Sequence, residues 1–131
     1  MQHATCGPFG WKTNGAHPKH TLMALDDTTL LSRPATAADT KANTLGHLTE
    51  DSEGLDPETQ LNGEAGVFST TTHQSTVYDG TLTAIASAPV TKGDQVGVGG
   101  TAGQLEPGAA LIRGIAMNAA AVGEYFAYLP R

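Results

Sequence analysis

The chain of 131 residues has 39% hydrophobic and only 15% charged residues, with a net charge of −6. That length supports one domain with one core, and the charged share lies well below the roughly 25% usual for soluble domains. This balance excludes a disordered chain, which needs high net charge and few apolar residues; it suits a β protein whose surface is partly taken up by partners.

The seven basic residues are scattered from Lys12 to Arg131. A phosphate backbone calls for a clustered basic footprint, so no nucleic-acid partner is expected. No apolar run reaches the length of a membrane span, and Met1–Cys6 carries no basic and apolar signal pattern. The single Cys6 allows no internal disulfide, so assembly in a reducing cytoplasm is the expectation.

Residues 1–19 hold Gly7, Pro8, Gly10, Gly15 and Pro18 and show no periodicity. They read as an extended N-terminal arm. Phe9 and Trp11 lie in it, and large aromatics dominate burial at interfaces, so both are candidate contact residues with a neighbour. Residues 20–131 form the β body. His20–Leu25 and Thr28–Ser32 flank Asp26-Asp27, which predicts a hairpin with a two-residue turn. Pro34 ends the second run. Ala35–Asn43 allows one helical turn with Thr36 as N-cap, and Thr44–Thr49 is a short strand.

Glu50–Asn62 is acidic and broken by Gly54 and Pro57, hence a surface loop. Ser75–Tyr78 and Thr81–Ala86 flank Asp79-Gly80, a strong hairpin signal because the primed turn needs positive φ. Thr91–Asp94 is a further turn, leading into Gln95–Val98, and Gly99–Gly108 is a glycine-rich connection. Leu111–Met117 is the strongest strand, with Ile115 on a face shared by Leu111, Arg113 and Met117. In Glu124–Leu129 one face holds Tyr125, Ala127 and Leu129 and the other Phe126 and Tyr128, so the strand is expected to be central or covered by a partner. Tyr125, Phe126 and Tyr128 join the candidate contact residues. The fold class is therefore mainly all-β: a compact barrel-like or sandwich domain of short strands, with one or two helical turns at most.

A faint internal echo links Thr44-Leu45-Gly46-His47-Leu48 to Leu111-Ile112-Arg113-Gly114-Ile115. Each follows an Ala-rich stretch. Two short copies of biased composition do not by themselves make a repeat.

From Ala88 to Arg131 the chain resembles a family of small tailed-phage capsid decoration proteins. The likeness lies in Thr91-Lys92-Gly93-Asp94-Gln95-Val96, Gly99-Gly100-Thr101-Ala102-Gly103, Leu111-Ile112-Arg113-Gly114-Ile115-Ala116 and Ala119-Ala120-Ala121-Val122-Gly123-Glu124. Pro34–Thr40 followed by Leu45-Gly46 is similar to another phage-head phrase. Arg113 departs from the usual Leu-Ile-Gly. The resemblance implies a β-tulip-like domain on the outer surface of a phage head, a trimer that binds the major capsid protein and stabilises the shell. The competing expectation is a head-fibre base or a glycan-binding β module on the virion.

Sharper chemistry has weaker support. His3, Cys6, His17 and His20 offer four nitrogen or sulfur ligands that zinc would accept, but exposed histidines and a lone thiol are the plainer interpretation. No metal or other cofactor is expected. The acidic residues of the 50–62 loop lack the ordered spacing of a calcium loop. His73 with Ser69, Ser75 and Asp79 could be drawn as a triad, yet such sets arise by chance in Ser/Thr-rich loops. With no nucleophile elbow, P-loop or zinc-protease motif, no enzyme is expected.

Overall fold

A computed structural model describes residues 9–52, 70–74 and 81–131. The described strands form two five-stranded antiparallel sheets. The first contains β1 (Phe9–Lys12), β2 (Leu22–Leu25), β3 (Ser32–Pro34), β4 (Thr44–Leu48) and β5 (Thr70–Gln74), in the order β1-β5-β4-β2-β3. The second contains β6 (Leu82–Ile85), β7 (Gln95–Val98), β8 (Leu105–Pro107), β9 (Gly114–Ala116) and β10 (Tyr125–Pro130), in the order β6-β10-β9-β7-β8. Helix among the described residues is one 3₁₀ turn, Lys41–Asn43. The chain is all-β, and neither sheet closes into a barrel.

The two orders are the same order. Counted from its own first strand, each sheet runs first, fifth, fourth, second, third. The register repeats too. Phe9 faces His73 as Leu82 faces Tyr128, and Met23 faces Pro34 and Gly46 as Val96 faces Pro107 and Gly114. In each sheet the chain leaving the first strand meets the third in a single parallel bridge, Thr13–Ser32 and Ala86–Leu105. The Asn14 and Ser87 amides then donate to those same partners' carbonyls at 2.8 and 2.9 Å. The chain is thus two copies of one curled five-strand module. The sequence echo marks equivalent strands, β4 and β9, with Gly46 and Gly114 in matching positions.

Turn chemistry shows why the copies kept one backbone but few residues. Gly93 has φ +93°, and its amide donates to Ala116 O at 2.8 Å; Asp94 closes the turn by accepting from the Thr91 amide at 2.8 Å. Its counterpart is His20, φ +70°, donating to Leu48 O at 2.8 Å. A non-glycine residue there is strained, so the surrounding hydrogen bonds hold it in place.

Several local expectations shift. The Asp26-Asp27 turn is a longer loop, 26–31, because Leu25 pairs with Ser32. The Asp26 carboxylate accepts from the Thr28 and Thr29 amides at 2.9 and 3.3 Å, and Leu30 turns back with φ +59°. Thr36 does not cap a helix; its amide and hydroxyl donate to the Asp39 carboxylate at 2.7 and 3.1 Å. Phe9–Lys12, within the expected arm, is a strand laid against β5 of the same chain. The Asp79-Gly80 turn and Ser75–Tyr78 lie outside the described residues, while β6 pairs with β10 in the second sheet and β5 with β1 and β4 in the first. Leu111–Met117 contains only a short strand, and Leu111 and Ile112 stand exposed.

The principal core lies in the second module. Leu82, Ala84, Val96, Val98, Leu105, Ala116, Phe126 and Tyr128 form one buried cluster, which Leu22, Ala24 and Ala35 of the first module join. Ile115 is only half-buried, so a charge there is not expected to unfold the protein; the inward positions of β9 are Gly114 and Ala116.

Candidate contact surfaces and the buried polar junction

The candidate contact residues divide by exposure. Phe126 and Tyr128 are each 2% exposed and belong to the core, so they are corrected from contact residues to core residues. The cause is the pleat: β10 is flanked by β6 and β9, and these side chains point inward. Tyr125, on the opposite face, is 48% exposed. Its ring meets His20 edge-on at 4.7 Å, with Lys19 Nζ 5.9 Å from its centroid. Trp11 is exposed on the first module, and its indole N–H donates to Leu30 O at 3.0 Å. Phe9 sits in β1 opposite His73.

Among the described residues the other exposed large apolar side chains are Leu30, Leu111, Ile112, Met117, Val122 and Leu129. Leu111 and Met117 read as core in their local run, while Val122 falls in a segment read as an Ala-rich loop. β10 pairs Leu129 with Ile115, and the Met117 amide donates to Ala127 O at 2.8 Å. Ile115, Met117, Ala127 and Leu129 therefore share the outer face of the second module. The equivalents of Tyr125 and Leu129 in the first module are Thr70 and Gln74, and that of Met117 is Thr49. One module is apolar where the other is polar. Exposed patches of this kind mark interaction sites more often than they mark neutral surface.

Of the proposed zinc set, His3 and Cys6 lie outside the described residues. The His17 ring bonds Asn14 Oδ1 at 2.7 Å, and His20 packs on Tyr125. Among the described residues no group of three or more His, Cys, Asp or Glu side chains could hold a metal ion. Asp51, from the acidic loop, accepts from the Lys19 amide at 2.8 Å; Glu53, Asp56 and Glu58 lie outside the described residues, as do Ser69, Ser75 and Asp79 of the drawn triad. A shallow cleft at the β4–β6 junction is lined by His20, His47, leucines and threonines, with no carboxylate or thiol.

The polar groups that matter to the architecture are inside. His47 on β4 donates its Nδ1–H to His20 O at 2.7 Å, because a carbonyl can only accept. The neutral ring then offers Nε2 as acceptor, and the Tyr128 hydroxyl donates to it at 2.6 Å. Burial holds His47 neutral and pushes its pKa down to about 4; the charges of His20 and Arg113 work in the same direction. Burial also pushes the Tyr128 hydroxyl well above its ordinary range.

Arg113, which broke the apolar run, is 6% exposed, and its guanidinium donates to Asp39 O of the first module. The Asp39 carboxylate is paired two-pronged with Arg33 at 2.7 and 3.0 Å and accepts from Asn43 Nδ2 at 2.6 Å. The Arg33 guanidinium holds that carboxyl well below the usual carboxylate range. Gly103 completes the junction. Leu22 N donates to Gly103 O at 2.8 Å, and Gly103 N to Ala35 O at 2.7 Å.

Two consequences are measurable. The unfolded chain takes up a proton on His47 near pH 6.5, which the folded chain refuses until about pH 4. Stability from this group is complete above pH 6.5 and lost as pH falls through that window, by about 3 kcal/mol in all. Denaturant midpoints measured from pH 7 to pH 4 are expected to fall accordingly. Tyr128→Phe leaves the buried Nε2 without its donor and is expected to cost about 1–3 kcal/mol at pH 7, read from the same titration.

No protein-family model and no curated protein sequence matches the chain. Among solved structures, the N base of head fiber gp8.5 in bacteriophage phi29 is similar to it, with a TM-score of 0.64 and 14% sequence identity over 95% of this chain and 92% of that one. At that identity the likeness is one of fold, and it spans both modules.

Proposed function

We propose that this chain is a structural protein of a phage head, acting as a base module that anchors a fibre to the outer surface of the shell. The observation that carries this reading is the shared fold with a head-fibre base over nearly the whole of both chains. The chemistry of the surface is compatible with it. The described surface offers apolar and aromatic patches suited to protein contact, and the chain carries no basic run. Partners under this reading are the major capsid protein and further copies of the chain.

A second reading has its own observation. The Ala88–Arg131 phrase resembles capsid decoration proteins, which would make the chain a cement that stabilises the shell. The two readings differ in what happens to the shell. Filled heads with and without the chain are heated and DNA release is followed with an intercalating dye. A base module leaves the release temperature unchanged; a cement raises it by several degrees, and that rise would displace the fibre-base reading.

A further inference from the structure

The chain carries two Asn-Gly pairs; Asn14-Gly15, just past β1, is among the described residues, and Asn62-Gly63 is not. Asparagine before glycine is the pair most open to loss of the side-chain amide, because no Cβ hinders the following backbone nitrogen as it approaches the carboxamide carbon. A fold ordinarily suppresses this reaction by tying up that nitrogen and leaving the carbonyl unactivated. The surroundings of Asn14 do the reverse.

Asn14 is exposed, so water reaches it. Its Oδ1 accepts from the His17 Nε2–H at 2.7 Å, since a carboxamide oxygen can only accept. Burial lowers the pKa of His17, so the ring is neutral at neutral pH and keeps its one proton on Nε2. That same Nε2 lies 3.7 Å from the point where a Cβ on Gly15 would stand. The donor therefore sits beside both the carbonyl and the residue whose nitrogen would attack it. Among the described residues no acceptor meets the Gly15 amide.

The rest of the loop is pinned. Gly15 O accepts from the Thr13 hydroxyl at 3.1 Å and from the buried Ser52 hydroxyl at 2.8 Å. The His17 amide donates to Ser52 Oγ at 2.7 Å, and the Ser52 amide to His17 O at 2.8 Å. Ahead of the pair, the Asn14 amide donates to Ser32 O at 2.8 Å. One serine thus holds both ends of Gly15–His17, and with them the imidazole against the carboxamide.

We propose that Asn14-Gly15 is a self-modification site, at which His17 is the catalytic residue that converts Asn14 into isoaspartate and aspartate. The Gly15 nitrogen gives its proton to solvent base and bonds to Asn14 Cγ. The carbonyl electron pair moves onto Oδ1, where the His17 Nε2–H stabilises the charge. The pair then returns, the Cγ–Nδ2 bond breaks, and ammonia leaves with a proton taken from water. Water opens the cyclic imide at either carbonyl: attack on the main-chain carbonyl gives isoaspartate, and attack on Cγ gives aspartate. The sum is one water consumed and one ammonia released, with no oxidant or reductant. Each event adds one negative charge beside His17.

The test incubates the full chain at neutral pH in water enriched in heavy oxygen and maps its peptides by mass spectrometry. Trypsin releases Thr13–Lys19, in which Asn14 is the sole carboxamide side chain, so its conversion is read separately from that of Asn62. A synthetic peptide of residues 9–20 gives the rate without the fold. The expected result is heavy oxygen entering at Asn14 several times faster in the folded chain than in the peptide. An equal or slower rate in the folded chain would overturn the proposal. In parallel, His17→Phe keeps a flat ring against the loop and removes the donor. With an unchanged circular dichroism spectrum, this variant is expected to lower the folded-chain rate about tenfold. An undiminished rate in the folded variant would equally overturn it.

Discussion

Gly103→Val is expected to destabilise the protein by about 4 kcal/mol, the sum of two costs at one position. The backbone there has φ +77°, which a β-branched residue adopts only under strain. That costs roughly 1–3 kcal/mol. A Cβ at this position would also lie 2.4 Å from Thr21 Cγ2 and 3.2 Å from Pro34 Cβ, with the Leu22 carbonyl oxygen at 3.3 Å. Overpacking of that kind costs a further 1–3 kcal/mol or so. The damage falls on the junction, because Gly103 exchanges both of its backbone hydrogen bonds with the first module. Thermal melting is expected to lose its single cooperative transition, with the second module, which holds the principal core, melting last.

Phe126→Ala acts on that core and is expected to cost about 3–5 kcal/mol. Phe126 is among the largest fully buried side chains and packs with Tyr128, their ring centroids 6.2 Å apart. It lies on β10, held between β6 and β9, where the surrounding strands cannot collapse into the space without breaking two ladders. A urea midpoint shift with an unchanged slope is the expected signature.

What the sequence made legible follows sequence distance. The turn at Thr91–Asp94 and the strand at Gln95–Val98 are set by neighbours a few residues away, and each could be placed from local pattern. The pairing of β1 with β5 was not legible, because Phe9–Lys12 is short, interrupted by Gly10 and aperiodic, and its partner lies beyond β4. The longer 26–31 loop was hidden behind an ordinary-looking Asp-Asp turn; only the Leu25–Ser32 register reveals it. Period-two reasoning put Phe126 and Tyr128 on one face but could not say that this face was the chain's own core.

The duplication was visible as a trace at Leu45-Gly46 and Ile112-Arg113-Gly114, and the structure explains why no more survived. The copies share backbone demands, such as left-handed residues at 20 and 93 and at 30 and 103, without sharing the residues that meet them. Arg113 was the one signal of the buried junction, a charge inside an apolar run. Its partner Asp39 and the His47–Tyr128 pair come together only through the tertiary fold.

The central claim is attachment to a phage head, and reconstitution tests it most directly. Purified chain is titrated onto tailed-phage heads that lack it, and bound protein is measured after sedimentation. The account predicts saturable binding at a fixed number of copies per head, unaffected by removing accessible nucleic acid with nuclease. No binding above that to unrelated particles would contradict it.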